Sequence, residues 1–376
     1  QNDFNCIYDD LNYNWKVIPD PSLVHFSISP HLNHRHIAKS AFTRYRFFDV
    51  FLKGKGTFPK RPELSVNLKT ANGIPIASVS PHDVGQVQNV QIFYSINPHS
   101  LTRFWRRAAT AKHRNNWIAH LPILSTNMPL FVMANVEYPQ PQQLIGSRHM
   151  GNSPENFLIS SWETIIDPTA LKKAGVKAID RPDRIIQRSF DDWGDWYQVS
   201  WGNHQHAVAG TRKLTDPKWR GPDGATLSID VKDPQGGYFL MAFDVNNWGA
   251  YPGLAKGGYY CVKALAKTED WQTVTIKLSD LKPRGSGISD RPKSWQGITE
   301  LQIVAGLHRI PGEEKTILSG GTWPGKRELR NLQWIGGKYS SPLLYPGGKL
   351  SIEEFQKIFQ ADIDKSIESE NHDTQK

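Results

Sequence analysis

Asp3 and His34, 31 positions apart, are the residues whose types could act together as a catalytic pair; His34 sits within His31-Leu-Asn-His-Arg-His36. A histidine can take the proton of a nucleophile, while a carboxylate behind it fixes the tautomer and stabilises the imidazolium. His31 and His36 compete for the role of base, and Asp9 or Asp10 for that of acid. The third member is missing, because no Gly-x-Ser-x-Gly turn occurs in the sequence. Without a nucleophile such a pair retains only electrostatic assistance, so the chain is expected to turn over no simple ester by itself.

A second set of residues offers binding chemistry. Trp193, Trp196, Trp248 and Tyr251 lie in Asp192-Trp-Gly-Asp-Trp196 and Asn247-Trp-Gly-Ala-Tyr251, among residues typical of loops. Flat rings stack on the C–H faces of pyranoses, and neighbouring Asn and Asp serve hydroxyls, so these four are candidate carbohydrate contacts. Packing in a large core is the competing use of the same rings. Asp191, Asp192, Asp195 and Asp216 are oxygen donors suited to calcium, but their spacing matches no EF-hand loop. His204 and His206 alternate, which places both on one face of a strand. No metal site is assigned from these groups and no cofactor is implied.

The elements that must position these residues are legible in part. Ser22–Ile28 is a nearly continuous apolar run, as a buried parallel strand would be, and Ala38–Leu52 spaces Ala41, Phe42, Tyr45, Phe48 and Phe51 or Leu52 as a helix does. Strand-like runs follow at 64–68, 87–94, 116–121 and 129–138, separated by turn residues. Tyr138-Pro-Gln-Pro-Gln-Gln143 marks a linker, with one short helix between Asp167 and Gly175. Further runs lie at 197–201, 225–231, 238–245, 259–263, 272–278, 301–305 and 329–334, with Pro, Asp and Gly turns between them. Ile352, Phe355, Ile358, Phe359 and Ile363 form the stripe of a terminal amphipathic helix, followed by a polar tail.

The expected fold class is therefore mainly β and multi-domain. It comprises a strand–helix piece (1–57), an immunoglobulin-like β module (58–140), a linker (141–184), a jelly-roll sandwich (185–336) and a C-terminal helix and tail (337–376).

Asn2-Asp3-Phe4-Asn5, Ser29-Pro-His-Leu-Asn-His-Arg-His36 and Phe47-Phe-Asp-Val-Phe-Leu-Lys-Gly54 resemble the acid loop, His loop and last helix of α/β-hydrolases of the dienelactone-hydrolase and acetyl-xylan-esterase type. The resemblance implies that Asp3 is the triad acid and His34 the base. It also implies that the nucleophile and the N-terminal part of that domain precede Gln1, and that the parent enzyme acts on a carbohydrate-linked ester. Trp271-Gln-Thr-Val-Thr-Ile-Lys-Leu-Ser-Asp-Leu281, with Trp295 and Leu301-Gln-Ile303, resembles the galactose-binding-like jelly rolls of carbohydrate-binding modules. The two likenesses together imply a secreted or periplasmic protein with a polysaccharide partner. A non-catalytic carbohydrate-binding or adhesion protein is the alternative.

Composition narrows the classes. The net charge is +9, from 45 Lys and Arg against 36 Asp and Glu, but the basic residues are scattered and accompany no nucleic-acid-reading motif. No run of 18 or more apolar residues is present, so no membrane-spanning helix is expected. Cys6 and Cys261 are too few and too far apart for a disulfide framework.

Overall fold

The computed structural model describes residues 2–3, 6–31, 38–140, 154–201, 204–246, 256–284, 292, 294–304, 306–309, 316–319 and 327–339. The chain divides into two compact units, Gln1–Asp180 and Arg181–Lys376. Both are built on antiparallel sheets, so the mainly β, multi-domain class expected from the sequence is the class observed.

In the first unit Asn2–Asp3 (β1) pairs with Cys6–Ile7 (β2), followed by the helices Tyr8–Lys16 (α1) and Ala38–Phe51 (α2). Nine strands come next: Glu63–Asn67 (β3), Ile76–Ser80 (β4), Asn89–Ser95 (β5), Arg106–Arg107 (β6), Thr110–His113 (β7), Asn116–His120 (β8), Leu130–Pro139 (β9), Asn156–Ser160 (β10) and Thr164–Ile166 (β11). One sheet runs β10-β9-β5-β6, with β11 also on β9, and the other runs β3-β4-β8-β7. Thus two strands, and the helix Pro168–Lys173 (α3), lie within the segment expected to be linker. That helix is where the sequence places one, and Asp167 caps it by accepting from the Ala170 N–H at 2.9 Å.

The run Ser22–Ile28 departs from expectation. Pro21–Leu23 forms a single 3-10 turn, and Phe26 makes one antiparallel bridge to Ser160, so there is no parallel strand here. Side chains take over the backbone bonds. The Ile28 N–H donates to the Ser160 hydroxyl at 2.8 Å, and Asn135 Nδ2 donates to the Ile28 carbonyl at 3.0 Å. A short buried apolar run has no periodicity to separate such a segment from a strand. Its apolar residues Phe26 and Ile28, with Tyr8 of α1, pack on Phe93, Phe131 and Met133 of the sheet and on Trp105 just before β6.

Helix α2 closes the sheet edge. The Thr43 hydroxyl donates to the Leu158 carbonyl at 2.8 Å and accepts its N–H at 3.1 Å, satisfying edge strand β10. Its buried face is Ser40, Ala41, Phe42, Thr43, Arg46 and Asp49, whereas Phe48, Phe51 and Leu52 of the predicted stripe are exposed. Helix α1 is anchored by charge: Asp9 grips Arg103 with both oxygens at 2.6 and 2.8 Å, and Glu163 reaches the same guanidinium at 3.1 Å. The guanidinium also lies 3.5 Å from the Phe131 ring centre.

The second unit has twelve strands in the described residues: Ile185–Ser189 (β12), Tyr197–Trp201 (β13), His204–Thr211 (β14), Thr226–Lys232 (β15), Gly237–Val245 (β16), Gly257–Leu265 (β17), Gln272–Ile276 (β18), Lys282–Pro283 (β19), Ile298–Val304 (β20), Gly306–Arg309 (β21), Thr316–Ser319 (β22) and Glu328–Ile335 (β23). A four-stranded sheet, β12-β23-β15-β18, faces a six-stranded one, β13-β14-β20-β16-β17-β19. Between them lies one core. Leu227, Ile229 and Val231 of β15 and Leu332 and Trp334 of β23 meet Phe239, Met241 and Phe243 of β16 and Leu301 and Ile303 of β20. The period of two along each strand dictates this pairing and turns every other residue of the six-stranded sheet away from the core.

Candidate functional site

That outward face is where the second unit concentrates polar chemistry. With Leu301 and Ile303 in the core, Glu300 and Gln302 of β20 point out, as do Leu240, Ala242 and Asp244 of β16 and Tyr260 and Val262 of β17. The register puts Tyr197, Gly210, Gln302, Ala242, Tyr260 and Lys282 in one row across all six strands. Asp244 and Glu300 are direct partners in the next row.

At the centre of the face the polar groups are buried and bonded to one another. Gln302 Nε2 donates to Glu300 Oε1 at 2.6 Å and to Asp244 Oδ2 at 3.0 Å, bridging the carboxylates. The Tyr197 hydroxyl donates to Glu300 Oε1, and Arg212 Nε reaches Glu300 Oε2 at 3.2 Å. Arg284 pairs with Asp244 Oδ1. Burial, then the charge of Glu300, pushes the Asp244 carboxyl up to about 6 against the pull of Arg284 and Arg212. Burial first, and Glu300 next, hold the Tyr197 phenol well above its ordinary range.

Two glycines make this packing feasible. A methyl on Gly210 would stand 2.5 Å from Tyr197 Cζ, so only glycine lets the ring lie across β14. A methyl on Gly258 would stand 3.1 Å from Arg284 Nη2 and 3.2 Å from Asp244 Oδ1.

Toward β17 the face opens. Leu240, Ala242 and Val304 make a buried apolar floor against which the partly buried Tyr260 packs. Tyr238 and Val262 are 46% and 45% exposed on the same face. Aromatic and apolar surface therefore borders the buried Gln302, Glu300 and Asp244 network. An arrangement of this kind can stack on the C–H face of a sugar ring while polar groups engage its hydroxyls.

The residues singled out in the sequence fall elsewhere. Trp196 is buried and Trp193 half-buried; their rings, 5.6 Å apart, pack with Phe190 at the core margin. Trp248 and Tyr251 lie outside the described residues, as does His34. Asp3 belongs to β1, and its side chain is not among those described. Of the alternatives, Asp9 is bound to Arg103, and His31 is buried and stacked on Phe104 at 4.5 Å. Asp10 and His36, the remaining alternatives, have no described side chains, so the Asp3–His34 pairing lies outside the described residues. Asp191, Asp192, Asp195 and Asp216 are not gathered either: Asp191 meets the Ser189 hydroxyl, Asp192 accepts from Gly194 N–H, Asp195 pairs with Lys213, and Asp216 caps Lys218 N–H. No group of three potential metal ligands occurs among the described residues. His204 and His206 are on β14, their side chains outside the description.

Sequence reasoning missed Tyr238, Tyr260, Glu300 and Gln302 because it sought binding aromatics in loops. The available signal was parity. In Ile298-Thr-Glu-Leu-Gln-Ile-Val304, Glu300 and Gln302 alternate with the core residues Leu301 and Ile303, whereas Tyr238–Phe243 is continuously apolar and carries no such signal.

The chain matches no protein-family model and no curated protein. Among solved structures it is similar to one described as a basis for the promiscuous specificity of carbohydrate-binding modules from the β-sandwich superfamily. That likeness has 10% identity and a TM-score of 0.20, and covers 75% of this chain and all of the other. A second is the N-terminal CBM22-1–CBM22-2 tandem of Paenibacillus barcinonensis Xyn10C, with 8% identity and a TM-score of 0.20, covering 84% of this chain and 97% of that one. Scores this low carry no weight of their own, and the sandwich fold rests on strand order and register. No helix of the described residues is long and apolar enough to cross a membrane.

Proposed function

We propose that the second unit binds carbohydrate on the outward face of its six-stranded sheet, and that the protein is a polysaccharide-binding protein acting outside the cytoplasm. One observation supports this most: the partly open Tyr238–Val262–Tyr260 surface runs into the Gln302, Asp244 and Glu300 network. Buried ion pairs seldom stabilise a fold better than apolar residues of the same size, so their retention on one sheet face suggests a role in recognition. The esterase reading draws no support from the described N-terminal residues, which cover the first unit's sheet and its edge, and binding without catalysis is preferred to it.

Affinity electrophoresis of the intact chain through gels containing a polysaccharide panel tests the proposal. Retardation by at least one polymer is expected, with a dissociation constant in the high micromolar to millimolar range, roughly 4–6 kcal/mol. Tyr260→Ala should abolish it. Free migration in every gel would remove the proposal.

A further inference from the structure

The same face also points to a class of ligand. We infer, resting on the carbohydrate-binding reading above, that the site selects neutral glycans and rejects polyuronates, although the chain carries a net charge of +9.

Charge pairing at the face carries the inference. Two carboxylates, Asp244 and Glu300, meet two guanidiniums, Arg284 and Arg212, in separate pairs. Each guanidinium is paired with a protein carboxylate, so the four groups sum to no net charge and offer a ligand's acid group no net positive field. The other strongly polar member, Gln302, turns its amide donor inward to both carboxylates. A carboxylate oxygen has lone pairs beyond the bonds it already accepts, and those can take further donors. Sugar hydroxyls supply donors. A uronate carboxylate supplies none, and it would give up its hydration at a poorly solvated, charge-balanced face that returns no net attraction.

Lys282, at the Tyr260 end of the row, is the remaining cation on it, but its side chain is exposed. A solvated ammonium attracts an acidic polymer only weakly at physiological ionic strength, where charges farther apart than about 8 Å are screened. The surplus positive charge elsewhere on the chain acts at long range and falls away with salt in the same manner.

Binding of the intact chain at neutral pH and 0.15 M salt to two sets of polymers decides the matter. Arabinoxylan, mixed-linkage β-glucan and galactomannan form the neutral set; polygalacturonate and alginate form the acidic one. At least one neutral polymer should bind at least ten-fold more tightly than either acidic polymer. Glu300→Gln should narrow that ratio, because it releases Arg212 while keeping the side chain's shape. An acidic polymer binding as tightly as the best neutral one would overturn the inference and leave carbohydrate binding intact. Binding to neither set would remove the underlying reading as well. The wild-type ratio is decisive on its own if Glu300→Gln does not fold.

Discussion

A histidine buried beside an arginine is held neutral, and His99 of the first unit is such a residue. Burial, and then the charge of Arg103, lower its pKa from the usual 6.5 to about 4, with Asp9 opposing. The folded state therefore binds fewer protons than the unfolded chain between these values, so stability rises with pH across that window. Acidifying from 6.5 to 4 should destabilise the first unit by on the order of 3 kcal/mol through this residue. Urea denaturation followed at several pH values checks it: His99→Gln should flatten the slope, and an unchanged slope would show that the acid sensitivity lies elsewhere. Neither this site nor the carboxylate network was legible in the sequence. Arg103 and Asp9 are 94 positions apart, as are Arg327 and Asp233, and no local pattern announces such partners.

At the level of elements the sequence was informative wherever a periodic signal existed. The runs at 64–68, 116–121, 238–245 and 329–334 fall on β3, β8, β16 and β23 to within about two residues, because alternation and turn residues bound them. The signal failed at Ser22–Ile28, where a buried run is stitched by side chains, and at β10 and β11, whose partner β9 is what makes them strands. Aromatic placement failed for a related reason. A tyrosine in a strand is turned to the core or away from it by register alone, and register is a tertiary property. Gly210 tests how tightly this face is constructed. Gly210→Ala would drive a methyl into the Tyr197 ring, displacing the phenol from Glu300. The change should cost about 1–3 kcal/mol in urea denaturation, as overpacking does, and weaken glycan binding. Wild-type stability together with wild-type affinity would mean that the ring has another place to lie.

For the whole molecule, two units built on antiparallel sheets share a chain but use their sheet faces differently. In the first, the N-terminal segment packs Tyr8, Phe26 and Ile28 on the sheet. In the second, one face of the six-stranded sheet makes the core and the other holds the polar network beside exposed tyrosine. The opposite, four-stranded sheet also has a polar outer face, where Arg330 lies 4.0 Å from the Trp271 ring centre and contacts Asp230 at 3.4 Å. The proposed site is therefore tested against the other outer face of the same unit. Isothermal titration of the intact chain with its best polysaccharide, comparing variants on each face, separates them directly. Gln302→Ala and Tyr238→Ala should each weaken binding by roughly ten-fold, the loss of about 1.4 kcal/mol, while Trp271→Ala and Arg330→Ala should change it less than about two-fold. The reverse pattern, with affinity lost at Trp271 and Arg330 and kept at Gln302 and Tyr238, would contradict the assignment of the site to the six-stranded sheet.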